Sequence, residues 1–472
     1  MRTAIALLAC AALGCNTSAP VLLPPPFGPT PAPTPYRLYF PTGLAVSKDQ
    51  SLLLVVNGDF DHAFDASTLV ALDTAYLGTL FDQQLDCSSL PYGRPAATGC
   101  DIDLGQNQQA FLGAAMIGNY GGPLALYEPA SGGATAFVAS RDTNLLHAVS
   151  VRAPGHELLS CRNHDGTDCR DGVLDMLKAA TLEGPYAVVV GDVVAPGSTT
   201  HQDALFVGEL VPHIDQIGGT TLTHANIAAV DPANPTAPPL FTMLASDFFV
   251  TAGSGIGPMV FDKVRRQLYA AGCFTRYPNP SQAAPLSAKC AGGTANYLRE
   301  LGPDAGANAG LRTVSLSEQV RSTDTSDLML GELDPVTGAH TLYATVRSPD
   351  ALLTVDIPDD PTREARVRRA TPLPVSPGAM LRLPRPGIGD LVLVSATRTG
   401  VVDVYDAALD QVVGEITKLG DTPYSMVLLP STGNVARVAV SVFGDCRLGL
   451  LEVPLDKPWN AKLRARVGAC PP

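Results

Sequence analysis

Apolar and polar positions alternate along this chain in short runs, and one arrangement of those runs recurs about seven times. A proline opens an apolar run, a second run ends at a small or polar turn, and a third often closes on Asp. The openers are Pro41 (PTGLAVS), Pro123 (PLALY), Pro185 (PYAVVVGD), Pro258 (PMVFD), Pro377 (PGAMLRL) and Pro423 (PYSMVLL); a unit near Asp327 (DLMLGELD) lacks the proline. A period of two between turn residues reads as β-strands. A long-period repeat of short strands is a unit that cannot bury its own face and must stack on its neighbours. Apolar residues on both faces require a sheet on either side, and closing the stack into a ring removes its exposed ends. The pattern predicts an all-β fold: a single β-propeller, read as seven four-stranded blades with disulfide-stapled loop insertions. The first strand of each unit would line a central channel.

Within that frame the first unit reads GLAVS, SLLLVVN and STLVALD, with its fourth strand delayed to Phe111–Gly118. The fourth unit reads PMVFD, RQLYAAG and LRTVSLS around a long insertion from about Phe274 to Gly310. Helical pattern is scarce, and Asp171–Ala180 (DGVLDMLKAA) is its best short example. Tyr36–Phe40 (YRLYF) reads either as a strand clasping the ring or as a plain lead-in.

The N-terminus changes the picture from fold to address. Arg2 precedes a short apolar stretch, Ile5–Leu13, too short to span a bilayer and so read as an export signal. Ala12-Leu13-Gly14 before Cys15 resembles a bacterial lipoprotein signal. In such proteins the cysteine is lipidated and becomes the new N-terminus; Cys15 is favoured over Cys10, whose apolar core would be very short. Thr17–Pro35 is Pro-rich and reads as an extended tether. The resulting division is a signal peptide over 1–14, a tether over 15–35 and the propeller over 36–472. The expected location is the bacterial cell envelope, with Asn16 after the cysteine pointing to the outer membrane, on its periplasmic or surface side.

Cysteine usage fits export. Beyond Cys10 and Cys15, eight cysteines fall into sequence-local pairs, Cys87–Cys100, Cys161–Cys169, Cys273–Cys290 and Cys446–Cys470. The net charge of −13 repels phosphate backbones and argues against nucleic acid and against electrostatic binding to anionic lipid.

FPTGLAVSKDQSLLLVVN, DTPYSMVLLPSTGNVARVAVSV and VVDVYDAALDQVVGEI resemble the YVTN-type β-propeller repeat family from Pro41 to about Val467. Asn57 keeps that family's polar strand end; Ser140, Gly272 and Val346 do not. The resemblance implies seven blades and a binding or scaffold role, with some lactonase relatives.

Two sets of residues are candidates for chemistry. Arg141, Arg276, Arg347 and Arg398 each follow a second strand, where loops share one face of a propeller. Their guanidinium forks suit a carboxylate, phosphate or acidic glycan, against the plainer role of loop ion pairs. Asp59, Asp61 and Asp65, crowded in GDFDHAFD, are a candidate Ca²⁺ site, against the plainer role of bonding their own turn. No cofactor is expected beyond that ion. There is no Gly-x-Ser-x-Gly elbow and no His-Glu-x-x-His. The expected function is an envelope-anchored, non-catalytic platform for envelope proteins or glycans, touching the membrane through its lipid alone. The alternative is a metal-dependent, lactonase-like hydrolase at the channel mouth.

Overall fold

The computed structural model describes residues 22–28, 35–83, 85, 87, 99–153, 155–194, 197–211, 213–217, 220–244, 256–274, 295–301, 310–316, 324–334, 336–360, 363–431 and 433–468. Seven sheets of four or five strands and one two-stranded hairpin account for its strands. Each sheet opens with an inner strand, in order Pro41–Val46, Gly121–Tyr127, Glu183–Val194, Met259–Asp262, Asp324–Leu333, Pro377–Leu383 and Pro423–Leu429. Each of these packs against the next, and Pro423–Leu429 packs against Pro41–Val46, so the inner strands form a closed ring. This is a β-propeller.

The alternation explains the stacking. In the strand Leu52–Asn57, Leu52, Leu54 and Val56 pack with Ala136, Val138 and Val149 of the second sheet. Leu53 and Val55, pointing the other way, pack with Leu448, Leu450 and Val467 of the last sheet. Period two thus sends apolar side chains to both neighbours. The same division repeats around the ring: each apolar cluster joins one pair of adjacent sheets. Near the axis the inner strands crowd. A Cβ on Gly43 would lie 2.8 Å from the Leu124 backbone nitrogen and 2.9 Å from the Gly122 carbonyl oxygen, which excludes any side chain at that position.

Several sequence readings change. The interval from about Phe274 to Gly310 holds the third strand of its sheet, Ala295–Leu301, and the fourth strand is Gly310–Ser315. The third sheet carries an inserted hairpin, His213–Ile217 with Thr220–His224. Helix is confined to Met176–Ala180 in its predicted region, N-capped by the Asp175 carboxylate. A second helix, Thr74–Asp82, capped by Asp73, follows the first sheet's third strand. Tyr36–Phe40 forms no strand; Leu38 and Tyr39 are buried, and the Tyr39 N–H donates to Asn57 Oδ1 at 3.2 Å. Part of the Pro-rich segment read as a tether also lies on the body. Phe27 packs against the first–last sheet cluster, and the Asp65 N–H donates to the Leu22 carbonyl at 2.9 Å.

The ring is fastened by a different segment. Asp101–Ile102, from the insertion between the third and fourth strands of the first sheet, pairs in parallel with the last strand, Lys462–Val467. Arg466 N–H donates to the Cys100 carbonyl and Gly468 N–H to the Ile102 carbonyl, each at 2.8 Å. Cys87–Cys100 and Cys161–Cys169 are both bridged. Cys446 is disulfide-bonded. Cys470, Cys290, the Cys273 side chain, Arg276, Cys10 and Cys15 lie outside the described residues.

Candidate binding site at the channel mouth

The inner strands enclose an axial cavity of about 440 Å³, and every one of the seven sheets contributes to its wall. Its wall is apolar along the inner strands: Leu44, Leu124, Met259, Met380 and Met426. Proline costs a sheet no ladder bond at a bulge or just before a strand, which suits Pro123, in the irregular register between Gly121 and Leu124, and Pro258, before Met259–Asp262, to this wall.

Two of the four predicted arginines enter the wall. Arg141 lies over the Tyr120 ring, 5.7 Å from its centre. Arg347 donates through Nε to the Pro377 carbonyl at 3.2 Å and stands 3.8 Å from Asp324. Arg398 is exposed beside the mouth; its neighbour Thr397 lines the cavity instead.

Sequence reasoning missed three wall residues. The hydroxyls of Tyr186 and Tyr424, from the third and last sheets, hydrogen-bond to each other. Burial raises both phenols, and the Arg141 guanidinium pulls each back down; Arg347 acts likewise on Tyr424. Asp327 accepts from the Leu328 N–H at 2.8 Å and the Met380 N–H at 2.7 Å. Burial nevertheless pushes its carboxyl up to about 7. Tyr186 and Tyr424 each directly follow an opening proline. That position faces the channel in this repeat, and it is the signal that could have found them.

Beside the cavity runs an arc of aromatic rings. Phe60, in the wall, meets Tyr120 edge-on at 4.9 Å and Phe443 at 5.0 Å. Phe443 also meets Phe40 at 5.1 Å and Tyr424 at 6.0 Å. The His62 Nε2 and Tyr120 hydroxyl are 2.7 Å apart.

The three aspartates of the first loop go to three different places. Asp59 is buried, accepts from the Phe64 N–H at 3.1 Å, and burial pushes its carboxyl up to about 6. Asp61 accepts from the Ala63 N–H at 3.1 Å within its own turn. Asp65 pairs with Arg170 at 2.9 Å. Among the described residues, no three His, Cys, Asp or Glu side chains group so as to hold a metal.

No family model and no curated protein matches this chain. Solved structures do resemble it at low identity. The β-propeller domain of Cps50 (Swd1) from Myceliophteria thermophila aligns at 10% identity over 88% of this chain and 97% of that one, TM-score 0.45. BBS1N, solved in complex with ARL6DN, aligns at 13% identity over 73% and 82%, TM-score 0.43. Kuenenia stuttgartiensis hydrazine synthase aligns at 11% identity over 88% and 84%, TM-score 0.36. None of these likenesses bears on function; the propeller rests on the sheets and their ring.

Proposed function

We propose that this chain is a lipid-anchored envelope protein whose propeller, its seven sheets being seven blades, is a non-catalytic platform for a protein or glycan partner. The partner places an acidic group in the channel mouth. The observation that carries this reading is the placement of Arg141 and Arg347 in one axial cavity built by every sheet. Two guanidinium groups in a partly desolvated pit suit a carboxylate, whose two oxygens match the fork. Cys15 carries the acyl chain, and the outer membrane is the proposed site; the signal sequence supports both.

Capture from detergent-solubilised envelopes tests the platform. The native chain is expected to retain a reproducible partner that Arg141→Glu with Arg347→Glu loses. Capture that returns nothing reproducible overturns the reading. Cys15→Ser tests the anchor separately: the protein should move from the membrane to the soluble fraction.

A further inference from the structure

We infer that the mouth cavity binds a carboxylate-bearing pyranose, the terminal acidic sugar of a glycan; this rests on the platform reading above and names its ligand. Four features converge. Phe60 stands in the wall, held nearly perpendicular to Tyr120 and Phe443 at interplanar angles of 87° and 80°. The negative face of an aromatic ring takes the C–H face of a pyranose. Tyr186 and Tyr424 add two more wall rings that carry hydroxyls.

The charges are placed for a single carboxylate. Arg141 and Arg347 both line this one cavity, Arg141 over the Tyr120 ring and Arg347 held by the Pro377 carbonyl. A sugar also needs partners for its hydroxyls. The wall supplies the Asp324 and Asp327 carboxyls, and the Ser326 hydroxyl, which is buried with no hydrogen-bond partner in the protein. Such an orphan costs free energy that a ligand hydroxyl recovers.

Shape selects a terminal sugar over a peptide. The cavity is a pit walled on all sides by inner strands, not a groove along a sheet edge. A peptide chain binds along a groove or by adding a strand. About 440 Å³ lies within the usual range of small-molecule sites.

The test is calorimetric titration of the full lipidated chain in detergent. The probes are trisaccharides ending in glucuronate, galacturonate or sialate, their carboxyl-reduced neutral counterparts, and an Asp/Glu-rich hexapeptide. At least one acidic sugar is expected to bind saturably, with its neutral counterpart about tenfold weaker or more. Arg141→Ala with Arg347→Ala, and separately Phe60→Ala, should each weaken it about tenfold, while Arg398→Ala leaves it unchanged. Should the double variant not fold, the reduced sugars on the native protein carry the same comparison. Equal affinity for acidic and neutral sugars overturns the carboxylate assignment. Binding of the peptide with all sugars refused overturns the sugar and leaves the platform standing. Refusal of every probe, while envelope capture still retains an Arg-dependent partner, also overturns only the sugar; refusal with no partner captured overturns both.

Discussion

Six of the seams between sheets are crossed by the chain itself; the seam between the last sheet and the first is not. The two kinds are built differently. Across the chain-linked seam between the fifth and sixth sheets, Arg369 meets Asp410 at 2.7 Å with both side chains substantially exposed. At the closing seam, Asp101 accepts from Arg466 at 2.7 and 2.8 Å and from Arg447 at 3.2 Å, and Arg466 is only 3% exposed. Arg437 adds an ion pair to Asp82 at 2.6 Å while lying over Phe81. The parallel pair Asp101–Ile102 and the Cys87–Cys100 bridge complete the join. The closing seam combines buried charge, ladder bonds and a covalent staple in one place; chain-linked seams hold some of these singly, with His340 meeting Asp262 at 3.2 Å between the fourth and fifth sheets and the Cys169 N–H donating to the Met116 carbonyl at 2.9 Å between the first and second.

Substitutions at the two seams should separate sharply. The largest expected loss is from Asp101→Ala, which removes the carboxylate that Arg466 and Arg447 share: about 3–5 kcal/mol, read as a lowered urea midpoint. A loss below that of an exposed ion pair would remove the distinction between seams. Next is Cys87→Ser with Cys100→Ser. Its loop spans 13 residues and its removal should cost about 2–3 kcal/mol. Reducing agent should cost the native chain at least as much, since it also opens Cys161–Cys169 and the Cys446 bridge.

On the chain-linked side the expected sensitivity is to pH. Asp403, 2% exposed in the sixth sheet, is pushed up to about 7 by burial, with Glu415 adding repulsion. Asp327 is raised likewise. A folded acid that holds its proton longer than the unfolded chain contributes stability present below its unfolded pKa near 4, lost as pH rises through about 7. The urea midpoint should therefore be higher at pH 5 than at pH 8. Asp403→Asn should flatten that difference by on the order of 2 kcal/mol. An unchanged pH dependence in this variant would place the titration elsewhere. The smallest effect is Arg369→Ala, at most about 0.5 kcal/mol.

Much of the propeller was legible because period two is a local signal. Proline openers placed six inner strands, and Leu52–Asn57 showed its two apolar faces directly. The clasp was not legible: Asp101–Ile102 is two residues long and gains its strand character only from Lys462–Val467. Ala295–Leu301 (ANYLREL) was hidden because its charged residues interrupt the apolar run. At the site, Arg141 and Arg347 were found by their loop position, whereas Asp327 and Tyr424 matter through neighbours that only the closed ring brings together. The first-loop aspartates dispersed because the turn bonds Asp61 and Arg170 holds Asp65.

The clasp also sets a clock. Asp101 waits for Arg466, 365 residues further along the chain. Until the last sheet arrives, Leu53 and Val55 of the first lack Leu448, Leu450 and Val467. Such distant pairing is slow to form and leaves greasy surface open meanwhile. A chain that emerges from its front end therefore leaves the ring unfinished until almost its last strand has appeared.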